Sequence, residues 1–311
     1  MTGVGLKLSK TNHIGKTAAR ATRAQKELTM FFSGISDESG QSIDTQIKAH
    51  QELGWQYMEL RLVDGENITA IPDAKFDEVC DKLGEAGMKV SCFGGAIANW
   101  ARPITCDSQI DIDDLKQAIP RMQRLDVPFI RVMSYPNDPD NPLSEKEWRD
   151  EAIKRMKVLA KMAEDNGIVL AHENCSGWGG QSAENSNILL GEVNSPALKA
   201  LFDTGNPVSY GQNSWDYYKT VFDSIIYVHI KDIKKVNGED HYVYCGEGDG
   251  YVREIVGDLL AKGYDGGFSI EPHLAAVIHT GERTNSEEKL YSTYTEYGRR
   301  LMQIVDEVKP K

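Results

Sequence analysis

Four short apolar runs in the chain each end in a side chain that can bind a metal or move a proton. Gly167–Cys175 (GIVLAHENC) carries His172 and Glu173, Ala200–Asp203 (ALFD) ends in Asp203, Ile225–His229 (IIYVH) in His229 and Gly267–Glu271 (GFSIE) in Glu271. One acidic residue at the end of a strand is ordinarily a helix cap or a surface charge, and one histidine there is ordinarily a satisfied core residue. Four on successive strands are another matter. If the strands end side by side, three carboxylates meet an imidazole, and they repel one another unless a cation sits among them. Oxygen-rich ligation with a single nitrogen suits Mn2+, Mg2+ or Co2+, and catalytic Zn2+ also accepts it.

The elements that must position these groups are legible in the hydrophobic pattern. Strands are expected at Leu28–Ile35, Tyr57–Leu62, Met88–Phe93, Phe129–Ser134, within Gly167–Cys175, and at Ala200–Phe202, Ile225–Ile230 and Phe268–Ile270. Between them lie helical repeats. The first carries Ile43, Ile47 and Leu53 and stops at Gly54; the fourth carries Ile153, Met156, Leu159, Ala160 and Ala163; the last runs from Ser286 to Val308. Eight strands alternating with helices predict a parallel sheet closed into a (β/α)8 TIM barrel, an α/β fold of typically ~250 residues. Residues 28–311 would form this single domain behind an N-terminal extension, residues 1–27, which is basic and has a short helix predicted over 17–27. A doubly wound open sheet would show a glycine-rich phosphate turn after strand one, where Ser36–Gly40 (SDESG) stands instead.

In a barrel all strand C-termini open on one face. Glu173, Asp203, His229 and Glu271, at the ends of strands five to eight, are therefore expected to converge.

The chain has 311 residues and a net charge of −12, which disfavours broad nucleic-acid binding. No apolar run approaches the ~20 residues of a membrane helix, and no signal-peptide core begins the chain. Five scattered cysteines fit free thiols in a reducing cytoplasm. The expected location is cytoplasmic.

The chain from Met30 to Val308 resembles the xylose isomerase-like barrel superfamily of sugar isomerases and epimerases, which also contains barrels of the AP endonuclease type. The segments that carry the likeness are Glu59–Arg61 (ELR), His172–Asn174 (HEN), Phe202–Asn206 (FDTGN), Val228–Asp232 (VHIKD), Gly246–Gly248 (GEG) and Ser269–His273 (SIEPH). The resemblance implies one Mn2+ per chain (or Mg2+, Co2+, Zn2+) held by Glu173, Asp203, His229 and Glu271. It also implies that Glu173 and Glu271 flank the substrate and transfer protons. Removing a proton beside a carbonyl creates an enediolate, and a metal on the neighbouring oxygens offsets its charge. Many 3-epimerases of this family carry a histidine three residues after the strand-six aspartate; Asn206 stands there instead. His172 or His273 could supply the missing imidazole, although His172, beside Glu173 on a strand, faces the pocket only if the strand has already ended.

Further substrate contacts are expected from Glu59 and Arg61 on one face of strand two, from Arg131 in strand four paired with Glu59 or Glu173, and from Trp100 and Trp178 on the loops after strands three and five. Arg61 could alternatively be a rim ion pair, and the tryptophans packing lids. Lys231 follows the metal histidine, and Asp232 could orient a ligand from behind. The leading expectation is a sugar isomerase or epimerase. The alternative is a lyase in which the same carbanion expels a β group from a keto-sugar or 3-keto-glycoside, releasing water or an aglycone. No phosphate-binding motif is present, so the expected partner is an unphosphorylated sugar or glycoside; the barrel could also pair as a homo-oligomer. DNA cleavage in this superfamily uses additional histidine and glutamate ligands on earlier strands, whereas His13, His50 and His241 lie away from strand ends.

Overall fold

The computed structural model describes residues 30–277, 282–284 and 286–310. The expected N-terminal extension lies outside them. Eight parallel strands form one sheet: β1 (Phe31–Gly34), β2 (Tyr57–Leu60), β3 (Lys89–Phe93), β4 (Phe129–Ser134), β5 (Val169–Gly177), β6 (Leu198–Asp203), β7 (Ile225–Ile230) and β8 (Gly267–Ile270). Each strand pairs with its neighbour in sequence from β2 to β8, and β8 pairs with β1. A bridge between Ile35 and Glu59 closes the ring. This is the TIM barrel, and it excludes the open sheet.

Eight helices cover it: α1 (Ile43–Glu52), α2 (Asp73–Ala86), α3 (Gln109–Leu125), α4 (Glu145–Asp165), α5 (Ala183–Val193), α6 (Ser214–Val221), α7 (Val252–Ala261) and α8 (Glu287–Val308). Their ends obey local chemistry. The Ser42 hydroxyl accepts the Thr45 N–H at 3.2 Å, and Ser144 forms a reciprocal capping box with Glu147. Gly87 ends α2 with φ +64°.

The strands alternate, save at a bulge in β3 that turns both Ser91 and Cys92 inward. Met58, Leu60, Ile130, Leu170, Phe202, Val228, Ile230, Phe268 and Ile270 pack outward under the helices. The lumen holds Cys92, Ala171, Leu201 and Tyr227, together with hydroxyls. Ser91 Oγ lies 2.8 Å from Ser33 Oγ and 2.7 Å from the Tyr227 hydroxyl. Branched aliphatic side chains dominate most such lumens, so a polar floor here is already unusual.

Three details go beyond the sequence reading. Strand β5 continues past Asn174 to Gly177. Helix α3 begins at Gln109 and accommodates Pro120 within it. Small antiparallel hairpins follow β2 (Leu62–Val63 with Glu66–Asn67), β7 (Asp232–Val236 with Glu239–Val243) and β8 (Ala276–Val277 with Glu282–Arg283). Their short, polar strands gave no clear period in the sequence. Among the described residues no helix is long and apolar enough to cross a membrane.

Buried His50 contributes to the pH sensitivity of the fold. His50 is fully buried; its Nδ1–H donates to Gln46 O at 2.8 Å and its Nε2 faces the Tyr294 hydroxyl at 3.1 Å. Burial pushes it from 6.5 down to about 4. Below pH 6.5 the unfolded chain therefore takes up a proton that the folded chain refuses, and stability falls by about 1.4 kcal/mol per pH unit, about 3 kcal/mol by pH 4. Urea unfolding followed across this range should show the loss, and His50→Gln should reduce its slope. Equal slopes in the two proteins would refute the assignment.

Candidate metal centre and its cavity

Alternation delivers the site. Since Leu170, Phe202, Val228 and Ile270 face the helices, the side chains at alternate positions, Glu173, Asp203, His229 and Glu271, face the axis. Register places Asp203 and Ser269 directly beside His229. One ligand atom from each of Glu173, Asp203, His229 and Glu271 lies within 4.8 Å of all the others, and all four residues are buried.

The histidine has its two nitrogens divided between two tasks. Nε2 lies 3.0 Å from Glu59 Oε2, which also accepts the Ser269 hydroxyl at 2.8 Å. Nδ1 faces Glu173 Oε1 at 3.2 Å and Glu271 Oε2 at 3.6 Å. A carboxylate behind a histidine sets its tautomer and orients it toward a metal. Asp203 is held differently: its Oδ1 accepts the backbone N–H of Gly205 and Asn206 at 2.8 and 2.7 Å. Its Oδ2 is left toward Lys231 Nζ at 3.1 Å.

A belt of cations surrounds the carboxylates. Lys231 Nζ lies 2.9 Å from Glu271 Oε2. Arg61 grips Asp37, with Nη2 at 3.0 Å from Oδ2, and reaches Glu271 Oε1 at 3.2 Å and Glu38 Oε1 at 3.4 Å. Arg131 Nη1 stands 3.5 Å from Glu173 Oε2 and 3.9 Å from Glu271 Oε1. Glu38 in turn accepts both the backbone N–H of His273, at 2.8 Å, and its Nδ1–H, at 2.9 Å.

These groups fit a divalent ion. Six buried carboxylates (Asp37, Glu38, Glu59, Glu173, Asp203, Glu271) face three permanent cations. Glu173 Oε2 and Asp203 Oδ2 are buried and accept no hydrogen bond among the described residues. Burial pushes Asp203 up to about 6, against the pull of Lys231. Burial opposes a charge on His229, yet Glu59, Glu173 and Glu271 outweigh it and hold the ring well above its usual range. A proton on Nδ1 thus fills the role that a cation among the four ligands would take over.

Above the ligands opens a cavity of about 520 Å3. Arg61, Trp100, Arg131, Glu173, Asn206, Lys231, Glu271 and His273, all expected in the site, line it. Three expected residues do not. Glu59 lies beneath His229, fully buried, as its support. His172 points outward, because β5 has not ended there: a Cβ added to Gly179 would lie 3.2 Å from its ring, and burial pushes it down to about 4. Trp178 is buried in the outer core and donates from Nε1 to Glu145 Oε1 at 2.6 Å. Asp232, expected behind a ligand, instead accepts the N–H groups of Gly246, Gly248 and Gly250 at 2.8–3.0 Å and shapes that loop.

The sequence reading missed Asp37, Glu38, Tyr210, Asp240 and Tyr242. Asp37 and Glu38 follow strand one as the other acids follow theirs, so that signal was available. Tyr210, Asp240 and Tyr242 lie on connections whose paths no periodicity reveals.

Chelated protein titrated with Mn2+ or Zn2+ should bind a single ion per chain. Because binding must displace protons, affinity should fall as pH drops below about 6. Glu59→Gln should weaken binding ~10–100-fold without touching a ligand. Unchanged affinity in that variant would remove Glu59 from the metal's support.

Comparison with known proteins agrees with this geometry. The model of the xylose isomerase-like TIM barrel family matches residues 47–292. An inosose dehydratase of Geobacillus thermodenitrificans is 27% identical over 143 residues, covering 41% of this chain and 48% of that protein. The chain thus spans about half the length of the curated relatives it matches. Among solved structures, the IOLI protein with a bound zinc atom superposes with a TM-score of 0.72 at 14% identity, over 91% of this chain and 100% of that one. A D-tagatose 3-epimerase-like protein gives 0.68 at 18%, over 89% and 99%. With a closed barrel and a family match over most of its length, the chain belongs to the xylose isomerase-like TIM barrel family.

Proposed function

We propose that this protein is a divalent-metal lyase that removes a proton beside the carbonyl of a keto-sugar or keto-polyol and expels a β-hydroxyl as water. The observation that carries this reading is the unequal treatment of the two glutamates. Burial alone would raise Glu271, but Lys231, His273 and His229 outweigh it and hold it well below the usual carboxylate range. Glu271 is therefore a good ligand and a poor proton acceptor. Glu173 Oε2, by contrast, has no hydrogen-bond donor among the described residues and meets Arg131 Nη1 only at 3.5 Å. One free proton acceptor suits elimination; epimerisation needs two matched groups on opposite faces of the substrate.

A divalent ion held by Glu173, Asp203, His229 and Glu271, which we assign as Mn2+, would supply Lewis acidity toward the carbonyl and offset the charge left by the departing proton. Glu173 takes that proton. Arg131 keeps Glu173 ionised and directed into the cavity. His273, fixed by Glu38 through Nδ1–H and facing the cavity, protonates the departing hydroxyl from Nε2, a step that uses the imidazolium and leaves the neutral ring on Glu38. Asn206 and Lys231 position the remaining oxygens. The dehydratase names of the curated relatives support the same outcome.

A second reading keeps an isomerase or epimerase, with Glu173 and Glu271 as an acid/base pair. It is favoured by their placement on either side of His229 Nδ1, at 3.2 and 3.6 Å. Both readings share an unphosphorylated small sugar as substrate. Metal-loaded protein incubated with an inosose in deuterated water should yield a product lighter by one water. Deuterium incorporation without loss of water would select the second reading. Glu173→Gln should slow turnover ~10²–10⁴-fold, and a near-normal rate would remove Glu173 from the chemistry.

A further inference from the structure

The cavity is graded from a closed floor to an aromatic mouth. Glu173 and Glu271 at its floor are at most 3% exposed, whereas Trp100 and Tyr210, lining the same cavity, are 42% and 44% exposed. They are two of six large apolar side chains left so open among the described residues. Their loops follow β3 and β6, three strands apart in a ring of eight, so the two rings flank the mouth from well-separated sides.

Neither ring sits on a loose loop. The segment bearing Trp100 is bonded along β4, through Met133 N–H to Ile97 O at 3.1 Å and Tyr135 N–H to Ala98 O at 2.9 Å. Buried Asp111 accepts the Ala98 N–H at 2.9 Å and pairs with Arg102. Tyr210 ends the short helix Asn206–Ser209, whose first N–H groups bind Asp203 Oδ1. Holding two aromatic rings rigidly in water costs hydrophobic free energy that a stacked ligand would recover. Polar Asn67, Asn99 and Asp240 line the cavity beside them. The volume, about 520 Å3, lies in the range on the order of 300–1,000 Å3 that encloses ligands larger than one sugar ring.

We propose that the mouth is a second-ring subsite: the substrate is a glycoside whose reacting sugar lies on the floor and whose attached ring, a further sugar or an aryl group, stacks against Trp100 and Tyr210. This rests on the floor being the reacting subsite and is independent of whether elimination or epimerisation follows.

Isothermal titration of Mn2+-loaded protein with methyl β-glucoside, phenyl β-glucoside and cellobiose tests it. The phenyl compound or the disaccharide should bind ~10-fold tighter than the methyl compound, and which of them does so identifies the ring. Trp100→Ala and Tyr210→Ala should each reduce that preference while changing methyl β-glucoside affinity less than about twofold; Trp100→Phe should retain most of it. Equal binding of all three, binding of none, or a preference that survives both alanine variants would overturn the subsite. A ring preference accompanied by no turnover of any keto compound would overturn the proposed reaction and leave the subsite standing. Elimination without ring preference would do the reverse.

Discussion

Everything at the open end of this barrel depends on holding like charges together away from water. Six carboxylates are buried within reach of one another, and each must find a cation, a proton or a backbone donor. The solution is layered. Glu59 is bound by His229 and Ser269, Asp37 and Glu38 by Arg61, Asp203 by two backbone N–H groups, and Glu271 by Lys231 and Arg61. Glu173 is met by His229 Nδ1 at 3.2 Å and by Arg131 at 3.5 Å, and its Oε2 accepts no hydrogen bond among the described residues. Breaking any one of these pairs leaves a buried charge uncompensated, so the cluster behaves as a unit.

That cluster also explains the polar lumen. An imidazole can present Nδ1 to a metal only if Nε2 is committed elsewhere. Glu59 supplies the partner from the far side of the ring, and Ser269 holds Glu59. A lumen of valine and isoleucine would offer His229 no such support. The barrel sacrifices apolar packing on its axis and compensates with the helix-facing layer, where Met58, Leu60, Phe93, Ile130, Leu170, Phe202 and Phe268 are all buried.

Function then divides by depth. The floor is charged, buried and rigid, because strand ends cannot move without breaking the ring. The rim is made of connections after β3, β6 and β7, where length and aromatic content vary at little cost to the fold. A family sharing the floor can therefore diverge in what it admits through the rim, and fold likeness to an epimerase-like protein and to a zinc-bound protein does not by itself choose the reaction.

Much of this was legible before any coordinates. Short apolar runs and the period-3.6 helices between them determined the barrel, and the polar residue following each of runs five to eight determined the metal candidates, because chain direction sends every strand end to one face. Pairing was not legible. Glu59 read as a pocket residue because alternation shows which face a side chain takes, not how deep it lies; only the closed ring brings its carboxylate within 3.0 Å of His229 Nε2. His172 and Trp178 were misjudged because the end of β5 depends on its hydrogen bonds to β4, which reach Gly177. The sequence by itself determined which residues face the axis. Tertiary structure alone decided which carboxylate each cation neutralises, since those energies depend on distances between strands far apart in the chain.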